Sequence, residues 1–342
     1  MRPNPRKLDV PRYKPRPMDA AAVLPWLRVL TLVICLSLAA YSDFSSLTVK
    51  DRHWLFFSIP VVSLLFAELA IMETSATNYW MIISLLAISS LSIFRLPEFR
   101  NTHSWDSREK MLVFLLVIGL VGLLFGAFKN ADVDFVSLIL GEEDKHKTLW
   151  WTLFSAIIII LALLLSRKVG VIQGGADVKA LVLLTLLMPS WRFLPEPLII
   201  DPAYSSLPPT FVIFLWASAA FILAPPILVF QNALAGNIES LSDLKMAWHA
   251  TKRPLAEIAE KPVWLLTEVS KSSEEEAPVI SNRILPGRHA PSPEELSAKI
   301  IDLQEQGLQH AWVASKHPFI AYLFLAIFPL ILFGDPIAFI LD

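Results

Sequence analysis

The sequence predicts an all-α polytopic membrane protein of about eight transmembrane helices, within a range of six to nine, carrying a small α+β cytoplasmic insertion. Three observations predict it. Hydrophobic residues make up 55% of the 342, charged residues only 18%, and the mean hydropathy is +0.56; soluble domains sit near 45–50% apolar and about 25% charged. The apolar residues are gathered in runs, several approaching the roughly 20 needed to cross about 30 Å of hydrocarbon. One stretch, 236–316, lacks such runs and carries the cap and strand signals of a water-soluble fold instead.

Residues 1–22 are rich in Pro and Arg and are expected to form a disordered basic tail. Spans follow near 23–42, 54–72, 79–94, 111–128, 149–165, 177–194, 210–232 and 318–340. Arg28 interrupts the start of the first, which argues against a cleavable signal peptide. The adjacent Pro225 and Pro226 should kink or end the helix that contains them. The expected organisation is therefore a membrane core over 23–235, an insertion over 236–317 and a final helix over 318–342.

Orientation follows from Lys and Arg in the short loops. With the first helix running outside to inside, Lys50, Arg52, Arg95, Arg100, Arg108, Lys110, Arg167 and Lys168 lie in the cytoplasm, against Lys129, Lys145, Lys147 and Arg192 outside. The basic tail opposes this orientation, and the loops favour it. The insertion has a helix signal at 292–306: Ser292 as N-cap, Pro293 at the first position, Glu294 and Glu295 in the first turn, Gly307 past the end. Val263–Leu266 and His310–Ala314 are expected strands, and Ser270–Ala277 a mobile loop.

Two acids stand at the ends of apolar runs. Asp43 closes the first, in Tyr41-Ser42-Asp43-Phe44-Ser45-Ser46, and Asp177 opens the sixth, in Gly174-Gly175-Ala176-Asp177-Val178-Lys179. A carboxylate at the centre of a membrane helix costs about 2.5–3.5 kcal/mol on insertion scales, so acids at such sites suggest function. On the orientation above both face the cytoplasm. Two carboxylates sharing one proton make an aspartyl protease: the ionised one takes a proton from water while the protonated one supplies the peptide oxygen. Gly174 and Gly175 would leave room for an extended substrate to approach. The plainer readings are a helix cap or interfacial anchor for Asp43, a simple turn for the glycines, and a Lys179 that snorkels to the headgroups.

Glu68, inside the second run, is the rival intramembrane acid and would cap a partner helix or face a polar cavity. Asp132, Asp134, Glu142, Glu143 and Asp144 read as a solvated loop. His53, His103 and His317 occur singly, without metal-ligand spacing, so no metal and no cofactor are expected. The single cysteine, Cys35, excludes disulfides and Cys-rich zinc sites. A net charge of −2 gives no reason to expect nucleic acid.

The segment Gly174-Gly175-Ala176-Asp177-Val178-Lys179-Ala180-Leu181 closely resembles the GxGD-type signature of type IV prepilin peptidases and archaeal preflagellin peptidases. In that family the motif's Asp is one of two catalytic aspartates, and Asp43 matches the other. The segment Ala311–Ile320, leading into a last helix, looks like the end of the archaeal branch. The resemblance implies a membrane aspartyl endopeptidase, without cofactor, facing the cytoplasm from the cell membrane. Its partners would be preflagellin- or prepilin-like precursors, from which it removes a short basic leader ahead of a hydrophobic helix, and the bilayer. Three features depart from the pattern. Ser45 and Ser46 stand where members often have Arg, two extra spans fall near 79–165, and the paired cysteines of the bacterial enzymes are missing, which argues against their N-methyltransferase activity. A transporter that binds cations or relays protons through the same acids is the alternative of another class, although no internal repeat supports it. A presenilin-like protease is a third reading, and its Tyr-Asp and Pro-x-Leu elements are not clear here.

Overall fold

A computed structural model of the chain describes residues 20–46, 48–97, 105–140, 142–172, 174–195, 207–258, 263–270, 279–284, 292–315 and 318–337. Thirteen α-helices and five strands occur among them. The helices are α1 (Ala20–Ser46), α2 (Asp51–Ile71), α3 (Ala76–Ser90), α4 (Ser107–Lys129), α5 (Phe135–Leu140), α6 (Lys145–Lys168), α7 (Gly175–Leu187), α8 (Pro209–Leu234), α9 (Leu241–Ala247), α10 (Leu255–Ile258), α11 (Pro293–Glu305), α12 (Phe319–Leu325) and α13 (Ile327–Phe333). The strands are β1 (Thr251–Pro254), β2 (Val263–Leu265), β3 (Thr267–Ser270), β4 (Val279–Asn282) and β5 (His310–Ser315).

Five of the described helices, α1, α2, α4, α6 and α8, are long and apolar enough to cross a membrane. The chain is thus a multi-pass helical membrane protein. Three of the eight expected spans form shorter helices than a full crossing needs. Helix α3 has 15 residues and α7 has 13; at about 1.5 Å per residue neither reaches the ~30 Å of a bilayer core. Helix α7 stops where it does because Pro189 disfavours helical geometry at the residue before it, and Met188 accordingly leaves the helical region, at φ −134°, ψ 71°. Val178 and every residue from Ala180 to Leu187 are buried, as a helix apolar on all sides must be when protein surrounds it. The last apolar run is broken at Ala326 into α12 and α13, since Pro329 has no N–H for the Leu325 carbonyl one turn back. Helix α8, in contrast, is not ended by Pro225 and Pro226 but runs on through both. Of the tail expected to be disordered, Ala20–Ala22 belong to α1, and residues 1–19 lie outside the described residues, as do 271–277 of the expected loop.

The chain divides into two compact units, 1–34 with 54–202, and 35–53 with 203–342. In the first, α3 packs against α4 and α6, and α6 against α7. The α3–α4 seam is built on Gly119 and Gly122, where a Cβ would lie 2.7 Å from that of Ala87 and would press on Trp80 respectively, while Gly126 makes room for the Trp150 indole of α6. Backbones brought this close can hydrogen-bond across the seam, and the Ser84 hydroxyl donates to the Gly119 carbonyl at 2.7 Å.

In the second unit α12 and α13 pack on α8, and the Trp216 indole N–H donates to the Gly334 carbonyl at 2.8 Å. The insertion follows the expected α+β plan. Antiparallel strands in the order β1-β5-β2 pair Thr251 with Val313 and Trp264 with Ala314, and β3 pairs with β4 beside them. Helix α11 starts in a capping box between Ser292 and Glu295 and ends before Gly307, whose φ is +78°. Its Leu296, Ile300 and Leu303 close a core with Leu255, Leu265 and Val313. A second cluster joins Val229 of α8 to Met246, Leu266 and Trp312. There the Asn232 side chain donates to the carbonyls of Ala247 (3.3 Å) and Ala250 (2.9 Å), tying the insertion to the end of α8.

Candidate functional site

Asp177 stands at the third position of α7, after Gly174 as N-cap. From there an acid can reach back over the cap residue, and a negative charge is favoured by the helix dipole. The carboxylate does fold back: a Cβ on Gly174 would collide with its Oδ2. Gly174 has an ordinary φ of −76°, so glycine is required for space rather than for conformation. Gly175 makes room for a cation. Its missing Cβ would meet the Arg167 guanidinium at 3.1 Å, and that guanidinium also reaches the Ser92 carbonyl at 3.5 Å. The first occupants of the room beside the two glycines are therefore the motif's own carboxylate and an arginine from the end of α6. Lys179, half-buried, lines a cavity between α2, α3 and α7 together with Ser58, Ser89 and Phe94.

Asp43 is presented by the other unit, three residues before the end of α1. Leu32, Cys35, Leu36, Ala39 and Ala40 form the buried stripe of that helix, and Asp43, 7% exposed, continues it at the same spacing. Its neighbours Tyr41 and Phe44 point outward, each 76% exposed. A cap or surface anchor would be expected on the outward side; this acid lies on the inward one. The turn beyond is closed by the Ser42 hydroxyl, which donates to the Thr48 carbonyl at 2.9 Å. Gly174, Gly175, Asp177 and Lys179 are thus brought together by one helix start, and Asp43 comes from a second element.

Arg28, read from the sequence only as an interruption of the first run, is the most consequential residue that reading passed over. It is fully buried. Its guanidinium donates to the carbonyls of Leu187 (2.6 Å) and Leu64 (3.2 Å), lies 3.5 Å from the Glu68 carboxylate and stacks 4.9 Å from the centre of the Phe193 ring. Leu187 is the last residue of α7, so a cation here also meets the negative end of that helix. Glu68 is therefore the counter-ion of Arg28. Opposite charges in two separate apolar runs, one near the start of α1 and one near the end of α2, were the signal that could have revealed the pair.

The acidic loop is more structured than expected. Asp132 pairs with Lys147 at 3.0 Å, Asp144 caps α6 through the N–H groups of His146 and Lys147, and Asp134 caps α5. The lysine holds the Asp132 carboxyl below the usual carboxylate range. His53 approaches the thiol of Cys35, with Nε2 3.6 Å from Sγ; among the described residues no cluster of three His, Cys, Asp or Glu is positioned to hold a metal ion. No family model matches the chain, and no curated protein matches it as a relative.

Proposed function

We propose that the chain is a membrane aspartyl endopeptidase in which Asp43 and Asp177 activate water to remove the short basic leader of preflagellin- or prepilin-like precursors at the cytoplasmic face. The observation that carries this reading is the start of α7, where Asp177 folds into the space that Gly174 leaves at the mouth of a helix buried on all sides. The inward-facing Asp43 supports it, because an acid on the buried face of α1 is turned towards protein groups rather than towards solvent. The chemistry needs two acids of unequal protonation. The ionised carboxylate takes a proton from water as its oxygen attacks the scissile carbonyl. The protonated one donates to the carbonyl oxygen, giving a tetrahedral gem-diol that collapses with protonation of the leaving amine.

The test is co-expression with a precursor that carries a basic leader and a hydrophobic helix, with cleavage followed on gels. Asp43→Asn and Asp177→Asn should each abolish processing, and Glu142→Gln, on an exposed loop acid, should leave it intact. Cleavage by both Asn variants would overturn the assignment of the dyad. A folded wild-type chain that cuts no such precursor would favour the transporter reading, to be tested by proton or cation flux in vesicles.

A further inference from the structure

Helix α9 has two unlike faces. Met246 and Ala247 are buried, in the cluster that joins the insertion to Val229 of α8. On the other side Leu241 is 80% exposed, Leu244 41% and Trp248 53%. These three stand at i, i+3 and i+7, with the exposed Lys245 beside them at i+4, and so form one stripe. Asp243 falls on the far side of the helix, where its carboxylate accepts from the Ser240 hydroxyl at 2.7 Å. Three large apolar side chains gathered on one exposed face of a seven-residue helix are a poor fit to water.

What the stripe meets follows from where α8 ends. Helix α8 has 26 residues, about 39 Å of helix against the ~30 Å of a bilayer core. Its amide side chains, Gln231 and Asn232, both fall in the last turn, which marks that turn as the one entering the headgroups. Phe230 and Leu234, both exposed, keep the outer surface of α8 apolar up to the same point. The chain then turns back at Gly236, whose φ is +70°. The Asn232 side chain accepts from the Asn237 amide at 3.0 Å and donates to Ala247 and Ala250, the residues that flank the end of α9. The end of α9 therefore lies one hydrogen bond away from the turn of α8 that leaves the hydrocarbon. Trp248 comes at that end, and tryptophan is the side chain that membrane interfaces favour.

We propose that α9 is an interfacial anchor that docks the insertion onto the bilayer surface. Leu241 and Leu244 reach the outermost acyl carbons, Trp248 sits at headgroup depth, and Lys245 meets the lipid phosphates. The insertion is then held to the membrane twice, by the hydrogen bonds of Asn232 and by the stripe. The inference stands whether or not the chain is a peptidase.

The experiment is site-directed spin labelling of the full-length protein in vesicles of phosphatidylglycerol and phosphatidylcholine. The one cysteine, Cys35, is buried, so the unsubstituted chain serves as the blank. Leu241→Cys, Leu244→Cys and Trp248→Cys are labelled one at a time. Glu305→Cys, exposed at the end of α11, is the reference for water. Collisions with oxygen, which concentrates in the bilayer, are compared with collisions with a water-soluble nickel chelate. Oxygen should dominate at 241 and 244, the two should come closer to balance at 248, and nickel should dominate at 305. Nickel dominating at 241 and 244 as it does at 305 would place the stripe in water and overturn the anchor. Labels shielded from both reagents would overturn it too, because protein would then cover the stripe, whether a second copy or another segment of the chain. Leu241 is the most exposed of the three, so its label decides the matter even where Trp248→Cys disturbs the fold.

Discussion

In the insertion, α11 lays Leu296, Ile300 and Leu303 onto a three-stranded sheet; in the helical unit, α3 and α4 meet along glycines, and Arg28 is threaded among backbone carbonyls. The difference follows from the solvent each would otherwise face. Leucine withdrawn from water gains about 25 cal/mol for each Å² buried, so the insertion can be held by apolar area. Leucine withdrawn from lipid gains little, and association then depends on close backbone approach and hydrogen bonds.

The sharpest break of this comparison is at Arg28. Arg28→Met should destabilise the helical unit by about 3–5 kcal/mol, because Glu68 and two carbonyls lose a partner in a buried site. Arg28→Met combined with Glu68→Leu should recover part of the loss, since replacing both members of a buried pair is often neutral. Unfolding in micelles would measure both. A single variant as stable as wild type would mean that the pair does not hold α1, α2 and α7 together. In the insertion the corresponding change is Leu303→Ala, expected to cost about 2–5 kcal/mol through the cavity it leaves. Hydrogen exchange at β5 would report it, and a change within error would show that the insertion is not held by apolar burial.

The next effect concerns the acid rather than the scaffold. Gly174→Ala must push the Asp177 carboxylate aside, whereas Gly175→Ala asks only a few tenths of an ångström of a flexible arginine. If the peptidase reading holds, cleavage should fall about 100-fold in the first variant, the usual penalty of a displacement near 1 Å, with unfolding unchanged. The second should retain most of its activity, and equal losses would separate the glycines from the geometry of Asp177.

How much of this was readable beforehand divides along the same line. Helix α11 was legible residue by residue, because its cap, first turn and terminator are local chemistry spelled out by Ser292, Pro293, Glu295 and Gly307. The start of α7 was legible for the same reason. Its length was not, because Trp191, Phe193 and Leu194 keep the sequence apolar past the helix; Pro189 was the mark of the true end. The Arg28–Glu68 pair spans 40 residues, and no local pattern announces a partner that far away. The role of Gly174 was half legible: the need for space showed in the sequence, but what fills that space is set by the rotamer of Asp177.

Smaller effects test the two modes at single groups. Ser84→Ala removes one hydrogen bond across the α3–α4 seam and should cost about 0.6 kcal/mol, the average for such bonds within membranes. In the insertion, burial holds His249 below the ordinary imidazole pKa of about 6.5, against backbone hydrogen bonds with Ile284 and Lys245 that raise it. The Ser240 hydroxyl, first among several partners, holds Asp243 below the carboxylate range. In both cases the unfolded chain binds the proton more readily, so stability rises with pH. The histidine's share is complete above about pH 6.5 and is lost as pH falls from there towards its folded value; the aspartate's goes only below about pH 4. Hydrogen-exchange protection at β1 and β5 in the full chain, taken relative to the intrinsic rate at each pH, should therefore fall in two steps on acidification. His249→Gln should erase the upper step and leave the lower one. An upper step that persists in that variant would assign it to a group other than His249.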